Sequence, residues 1–102
     1  RHTFANLTLN LTAHTATVAA HSLKLSPITF KLLEVLVREQ QKPVTRQVIM
    51  QAIWGDDQPD SNSLKVHIHH LRKQLEQAHC QAVLETIPSV GFALKLKNGT
   101  QA

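Results

Sequence analysis

A chain of 102 residues with 42% hydrophobic content has the length of one domain and apolar material enough for a core. Its formal charge of +4 favours a polyanionic partner. One cysteine, Cys80, excludes an internal disulfide and suits a reducing cytoplasm, and no apolar run approaches the roughly 20 residues of a membrane helix. The start, Arg1-His2-Thr3-Phe4, has neither Met nor the apolar stretch of a signal peptide, so the chain is expected to be an excised part of something longer.

Strands are predicted first. Leu7, Leu9 and Leu11 alternate with Thr8 and Asn10, the period of a half-buried strand. Thr15-Ala16-Thr17-Val18 follows a polar turn, and Leu23-Lys24-Leu25 fits a third short strand. Sequence separations this short leave no room for helical crossovers, so the strands should pair antiparallel. Ser26-Pro27 then starts a helix, with Ser as N-cap and Pro at the first position. Phe30, Leu33, Leu36 and Val37 carry it to Glu39. Thr45 caps a second helix, Arg46 to Trp54, with Ile49, Ala52 and Ile53 inward and Gly55 at its end. A polar loop, 56–61, leads to a third helix from about Asn62 to Gln77, capped by Asp60 or Ser61. Leu84–Ile87 and Gly91–Leu96 form a hairpin around Pro88-Ser89-Val90, with Gly91 free to take unusual backbone angles. The expected division is an N-terminal sheet over 1–25 and a helical and hairpin part over 26–97, together one domain, with a frayed tail at 98–102.

The third helix is the most informative stretch. Leu64, Ile68, Leu71 and Leu75 fall within roughly 60° of one another around the axis. Asn62, Val66, His69 and Lys73 lie opposite, with Ser63, Lys65 and His70 on the shoulders. That inventory suits a major groove: Lys reaches guanine O6 and N7, Asn pairs with adenine, and Val touches a thymine methyl. Asn62 and Ser63 stand where a helix N-terminus favours phosphate. A short helix, a turn and a longer amphipathic helix make a helix-turn-helix plan, and the following hairpin makes a wing.

Several segments in order resemble the effector domain of the OmpR/PhoB family of response regulators. They are 25–33 (Leu25-Ser26-Pro27 through Leu33), Val44-Thr45-Arg46, Ile53-Trp54-Gly55, Leu64 to Ile68, Leu71 to Leu75, Glu85-Thr86-Ile87 and Gly91-Phe92. The resemblance covers nearly the whole chain. It implies an α+β winged helix-turn-helix with an N-terminal four-stranded antiparallel sheet, three helices and a C-terminal β-hairpin wing. It also implies sequence-specific binding of double-stranded DNA by a dimer on adjacent half-sites. No enzyme activity, metal or cofactor is expected from the residues: there is no Gly-rich phosphate loop and no zinc-type Cys pair, and Cys80 beside His79 is one thiol in a polar loop, poor material for a nucleophile. By position, Asn62, Ser63, Lys65, Val66, His69, His70 and Lys73 match the exposed recognition positions. Thr45, Arg46, Trp54, Thr86 and Ser89 match backbone-contacting or supporting positions, Trp54 being equally readable as a ring closing the core. Asp56, Asp57, Gln58 and Asp60 lie in the loop that some members offer to RNA polymerase. A receiver or sensor domain would lie outside this chain.

The sequence also departs from the family pattern. Pro88 stands where many members carry Arg, so the wing is not expected to read the minor groove. Arg is often found near His69 and His70; with imidazoles there, acidification is expected to add charge and tighten binding. Thr29 replaces a usual Glu and removes the reciprocal cap of the first helix. The Thr-Ile-Pro wing is also similar to the ToxR/CadC-like branch, whose members are membrane-anchored. His67, His69 and His70 share one helix with His79 and Cys80 nearby in sequence, but His67 lies toward the core side and His70 away from it with no carboxylate between them, which favours plain polar residues over a metal site. The rival reading is a winged helix that binds a partner protein.

Overall fold

In the computed structural model, which describes residues 2–97, the chain is an α+β winged helix-turn-helix. Strands β1 (His2–Phe4), β2 (Leu7–Asn10), β3 (Thr15–Val18) and β4 (His21–Ser22) form an antiparallel meander in the order β1-β2-β3-β4. Alternation fixes its faces. Leu7, Leu9, Ala16 and Val18 are buried, while Thr3, Thr8, Thr17 and Ser22 stand in register across all four strands on the other face.

Strand β4 stands two residues before the strand expected at Leu23-Lys24-Leu25. Leu23 N–H makes the last sheet bond, to the Ala16 carbonyl at 2.9 Å. Beyond it the backbone of Lys24 is claimed by side chains of the third helix, so Leu23 and Leu25 pack on the core from an extended linker, not a strand.

Helix α1 (Pro27–Arg38) is capped by Ser26, whose hydroxyl accepts from Thr29 N–H at 3.1 Å. That hydroxyl also donates to Thr29 Oγ1 at 2.9 Å. The hydroxyl pair joins the two side chains and does not stand in for the bond a Glu would accept from the Ser26 N–H, and Thr29 is fully buried. Thr45 caps α2 (Arg46–Trp54) through Val48 N–H, and Gly55 closes it with φ +59°. Along α2 the inward residues are Ile49, Met50 and Ile53, and Ala52 is exposed. The helix is rolled to bury the larger Met, which removes more apolar area from water. Asp60 caps α3 (Ser61–Gln77), one residue longer than expected.

A two-residue strand absent from the sequence reading, β5 (Val44–Thr45), completes a second sheet in the order β5-β7-β6. Strand β6 (Ala82–Ile87) starts two residues before Leu84, and β7 (Gly91–Leu96) is as expected. Positive φ in the wing turn falls on Ser89 (+64°) and not on Gly91. Gly91 is needed for space: a Cβ there would sit 2.0 Å from the Val44 carbonyl oxygen, where β5 crosses β7. One core cluster joins Leu7, Leu9 and Val18 of the first sheet to Phe30, Leu33, Ile49, Leu71 and Leu94. The expected frayed tail, 98–102, lies outside the described residues.

Candidate nucleic-acid interface

Helix α3 is held by Leu64, Ile68, Leu71 and Leu75, all buried, and this roll leaves Asn62, Lys65, Val66, His69, His70 and Lys73 exposed. Ser63 is half-buried. Val66 is 65% exposed, the highest value among the large exposed hydrophobics, and it lies in the middle of this polar face.

The flank toward the wing is built by two arginines. Arg72 donates from Nε to the Leu84 carbonyl at 3.1 Å and from Nη2 to Thr86 Oγ1 at 3.3 Å, tying α3 to β6. The guanidinium carbon of Arg46 lies 4.8 Å from the Phe92 ring centroid, a cation–π contact that sets the direction of an otherwise mobile side chain. Between them is a cleft of about 240 Å³ lined by Arg46, Lys65, His69, Arg72 and Thr86 among others. Four residues singled out by sequence therefore meet there, with Arg72, which the sequence marks only as a member of the segment Leu71 to Leu75. The strand positions of its partners, 12 and 14 residues on, are not encoded in any helical period.

Other expected residues stand elsewhere. The Thr45 hydroxyl oxygen is used as the α2 cap, leaving its hydrogen to donate outward. Ser89 is exposed at the wing tip, beside Val90. Trp54 is half-buried, its ring centroid 6.0 Å from that of His67. Asp60 accepts from Asn62 N–H at 3.1 Å, so a carboxylate occupies the helix N-terminus where a phosphate was expected. In the loop before it Asp56 and Asp57 are exposed, and the Gln58 amide donates to Gln51 Oε1 and the Gly55 carbonyl.

The histidines do not converge. His67 Nδ1 lies 3.5 Å from Thr29 Oγ1, and its pKa is lowered by burial and then by neighbouring His70. His70 turns to the other segment, where Nε2 donates to the Lys24 carbonyl at 3.1 Å. Because a carbonyl only accepts, Nε2 carries the hydrogen. Among the described residues no three His, Cys, Asp or Glu could hold a metal ion. Cys80 is fully buried, and burial pushes its thiol pKa up, which opposes the thiolate a nucleophile requires. Among the described residues no helix is long and apolar enough to cross a membrane.

Residues 20–94 match the family described as "Transcriptional regulatory protein, C terminal". The chain is 33% identical over 94 residues to response regulator MprA of Mycobacterium sp. strain KMS, covering 91% of this chain and 41% of that protein. It thus spans about two fifths of that relative's length. Among solved structures it is similar to the DNA-binding domain of response regulator AdeR in complex with an intercistronic region, with TM-score 0.82 and 21% identity over 95% of this chain and 100% of that one. It is also similar to DrrB, a Thermotoga maritima OmpR/PhoB homologue, with TM-score 0.78 and 23% identity over 92% of this chain and 43% of that one.

Proposed function

The chain belongs to the family of C-terminal domains of transcriptional regulatory proteins, the OmpR/PhoB type, and from this membership we propose that it is a sequence-specific binder of double-stranded DNA. It is the effector part of a bacterial two-component regulator, a binding module and not an enzyme, working in the cytoplasm. The observation that carries this is the free face of α3, where Asn62, Lys65, Val66, His69 and Lys73 stand exposed beside the cleft of Arg46, Arg72 and Thr86.

Helix α3 enters the major groove. Lys65 and Lys73 reach guanine edges, Asn62 an adenine, and Val66 a thymine methyl, while Ser63 and His69 complete the contact and His70, held on the Lys24 carbonyl, supports it. Thr45, Arg46, Trp54, Thr86 and Ser89 serve the phosphates or support groups that do, and such contacts fix register without reading sequence. Two copies occupy adjacent half-sites, as a helix-turn-helix dimer does. The loop of Asp56, Asp57, Gln58 and Asp60 is offered to RNA polymerase, and a receiver or sensor domain lies outside this chain. Residues 1–25 and 26–97 act as one domain.

Selection of bound duplexes from a random-sequence pool tests the reading, with a repeated, spaced motif as the expected result. On the selected duplex, Lys65→Glu combined with Lys73→Glu should weaken binding by at least about 100-fold, since two attractions become repulsions. Affinity should fall log-linearly with salt as counterions are released. A partner-protein module would select no motif, and its affinity for duplexes would ignore the double variant.

A further inference from the structure

An α-helix with its side chains is about 10–12 Å across, and the major groove is about 12 Å wide. Whatever flanks a helix seated in that groove therefore stands over one of the two sugar–phosphate strands that bound it. At about 100° per residue, Lys65 and Arg72 lie on one shoulder of α3, and His70 and Gln74 lie on the other. The first shoulder meets Arg46 and the wing. The second meets the linker that leaves β4.

That linker is fixed at one residue. The carbonyl of Lys24 accepts from His70 Nε2 at 3.1 Å, and its N–H donates to Gln74 Oε1 at 3.0 Å. Both backbone groups of Lys24 are thus held by side chains of α3, and the lysine itself is exposed. Beside it runs a trough of about 450 Å³ whose lining includes His21, Lys24, Gln77 and His79 and contains no carboxylate. Among the described residues the one ion pair joins Arg38 to Glu34, so the Lys24 ammonium has no acidic partner there.

We infer that Lys24 is a phosphate contact on the strand across the groove from the wing, which makes the β4–α1 linker a DNA-binding element in its own right. The inference rests on α3 lying in the major groove. The ligand is a backbone phosphate of the duplex. Lys24 meets it as a compact point charge, and the Gln77 amide is placed to donate beside it. Arg46 and Thr86 on one strand and Lys24 on the other would fix the roll of α3 about its own axis. Lys24 adds no sequence preference of its own, because phosphates carry none.

The test is the affinity of the intact chain for the selected duplex and for an unrelated duplex across a series of KCl concentrations. Lys24→Gln should weaken both by about fivefold and make the log–log salt slope shallower by about 0.9, the effect of one lost phosphate contact. Lys31→Gln removes the same charge from an exposed position on α1 and should weaken binding less than about twofold. Ethylation of individual phosphates should show interference on both strands with the parent chain, and Lys24→Gln should abolish it on the strand away from the wing. The proposal is overturned if Lys24→Gln keeps the parent slope, or if Lys31→Gln matches it. Loss of binding in the Lys65→Glu, Lys73→Glu variant with a silent Lys24→Gln removes the linker contact alone. Parent affinity in that double variant removes the seating of α3, and this inference with it.

Discussion

His67 sits where three helices meet. The Trp54 ring of α2 is tilted against its ring at 6.0 Å between centroids, Thr29 Oγ1 of α1 lies 3.5 Å from Nδ1, and His70 follows one turn later. Folding therefore lowers the His67 pKa from its ordinary 6.5, with burial as the larger cause. The unfolded chain then binds more protons than the folded one between the lowered value and 6.5, so stability is complete above 6.5 and is lost as pH falls through the folded value. Urea unfolding from pH 7.5 down to about pH 5 should show this decline, and His67→Gln should flatten part of it. Parallel curves for the two chains would sink the assignment. The sequence revealed which side of α3 is buried, because one helical period fixes both faces of a helix. It did not reveal the partners of His67 or Arg72, since Thr29 is 38 positions from the first, and Leu84 and Thr86 are a strand away from the second.

The element most poorly signalled by sequence is the β3–β4 hairpin. Val18 pairs with His21, so Ala19-Ala20 is the whole connection, and both alanines have positive φ, +48° and +73°. Two-residue hairpins with φ above zero at both positions favour Asn-Gly, because each L-residue with a Cβ pays roughly 1–2 kcal/mol for that conformation. Alanines give no turn signal, and this is why the strand was expected at Leu23–Leu25. Replacing the pair by Asn-Gly (Ala19→Asn with Ala20→Gly) should raise unfolding stability by about 1–2 kcal/mol, partly offset by the entropy of the new glycine. Calorimetry checks it, and an unchanged or lower Tm would show that the strain is relieved some other way. Strand β5 was missed for a different reason. Two residues carry no period, and Val44-Thr45 pairs only because Gly91 lets the backbones of β5 and β7 approach. The three helices were legible because caps and breakers bracket them: Ser26, Thr45 and Asp60 at their starts, Gly55 after α2.

At the scale of the molecule, the sheet and the helices share one apolar interior, and the clasp of Gln81 N–H on Asn6 Oδ1 at 2.8 Å ties the β1–β2 turn to the α3–β6 loop. Burying Leu7, Leu9 and Val18 contributes roughly 6 kcal/mol at about 2 kcal/mol per side chain, comparable to the whole stability of a domain this size. Deleting residues 1–22 should therefore abolish the cooperative urea transition of the remainder, followed by circular dichroism. A sharp transition in the shortened chain would mean that the helices and wing stand alone. The sheet has a second property, which lies in what its strands lack. Residues 2–23 contain no Lys, Arg, Asp or Glu, and the row of Thr3, Thr8, Thr17 and Ser22 is all hydroxyl. Every charged side chain among the described residues thus belongs to the helices, the wing and their linkers. A particle so lopsided is turned before it arrives: in the potential of a nucleic-acid rod the cationic end leads and the neutral end trails. Fewer collisions are then wasted in the wrong attitude, and dilution of the electrolyte should quicken capture more than it slows escape.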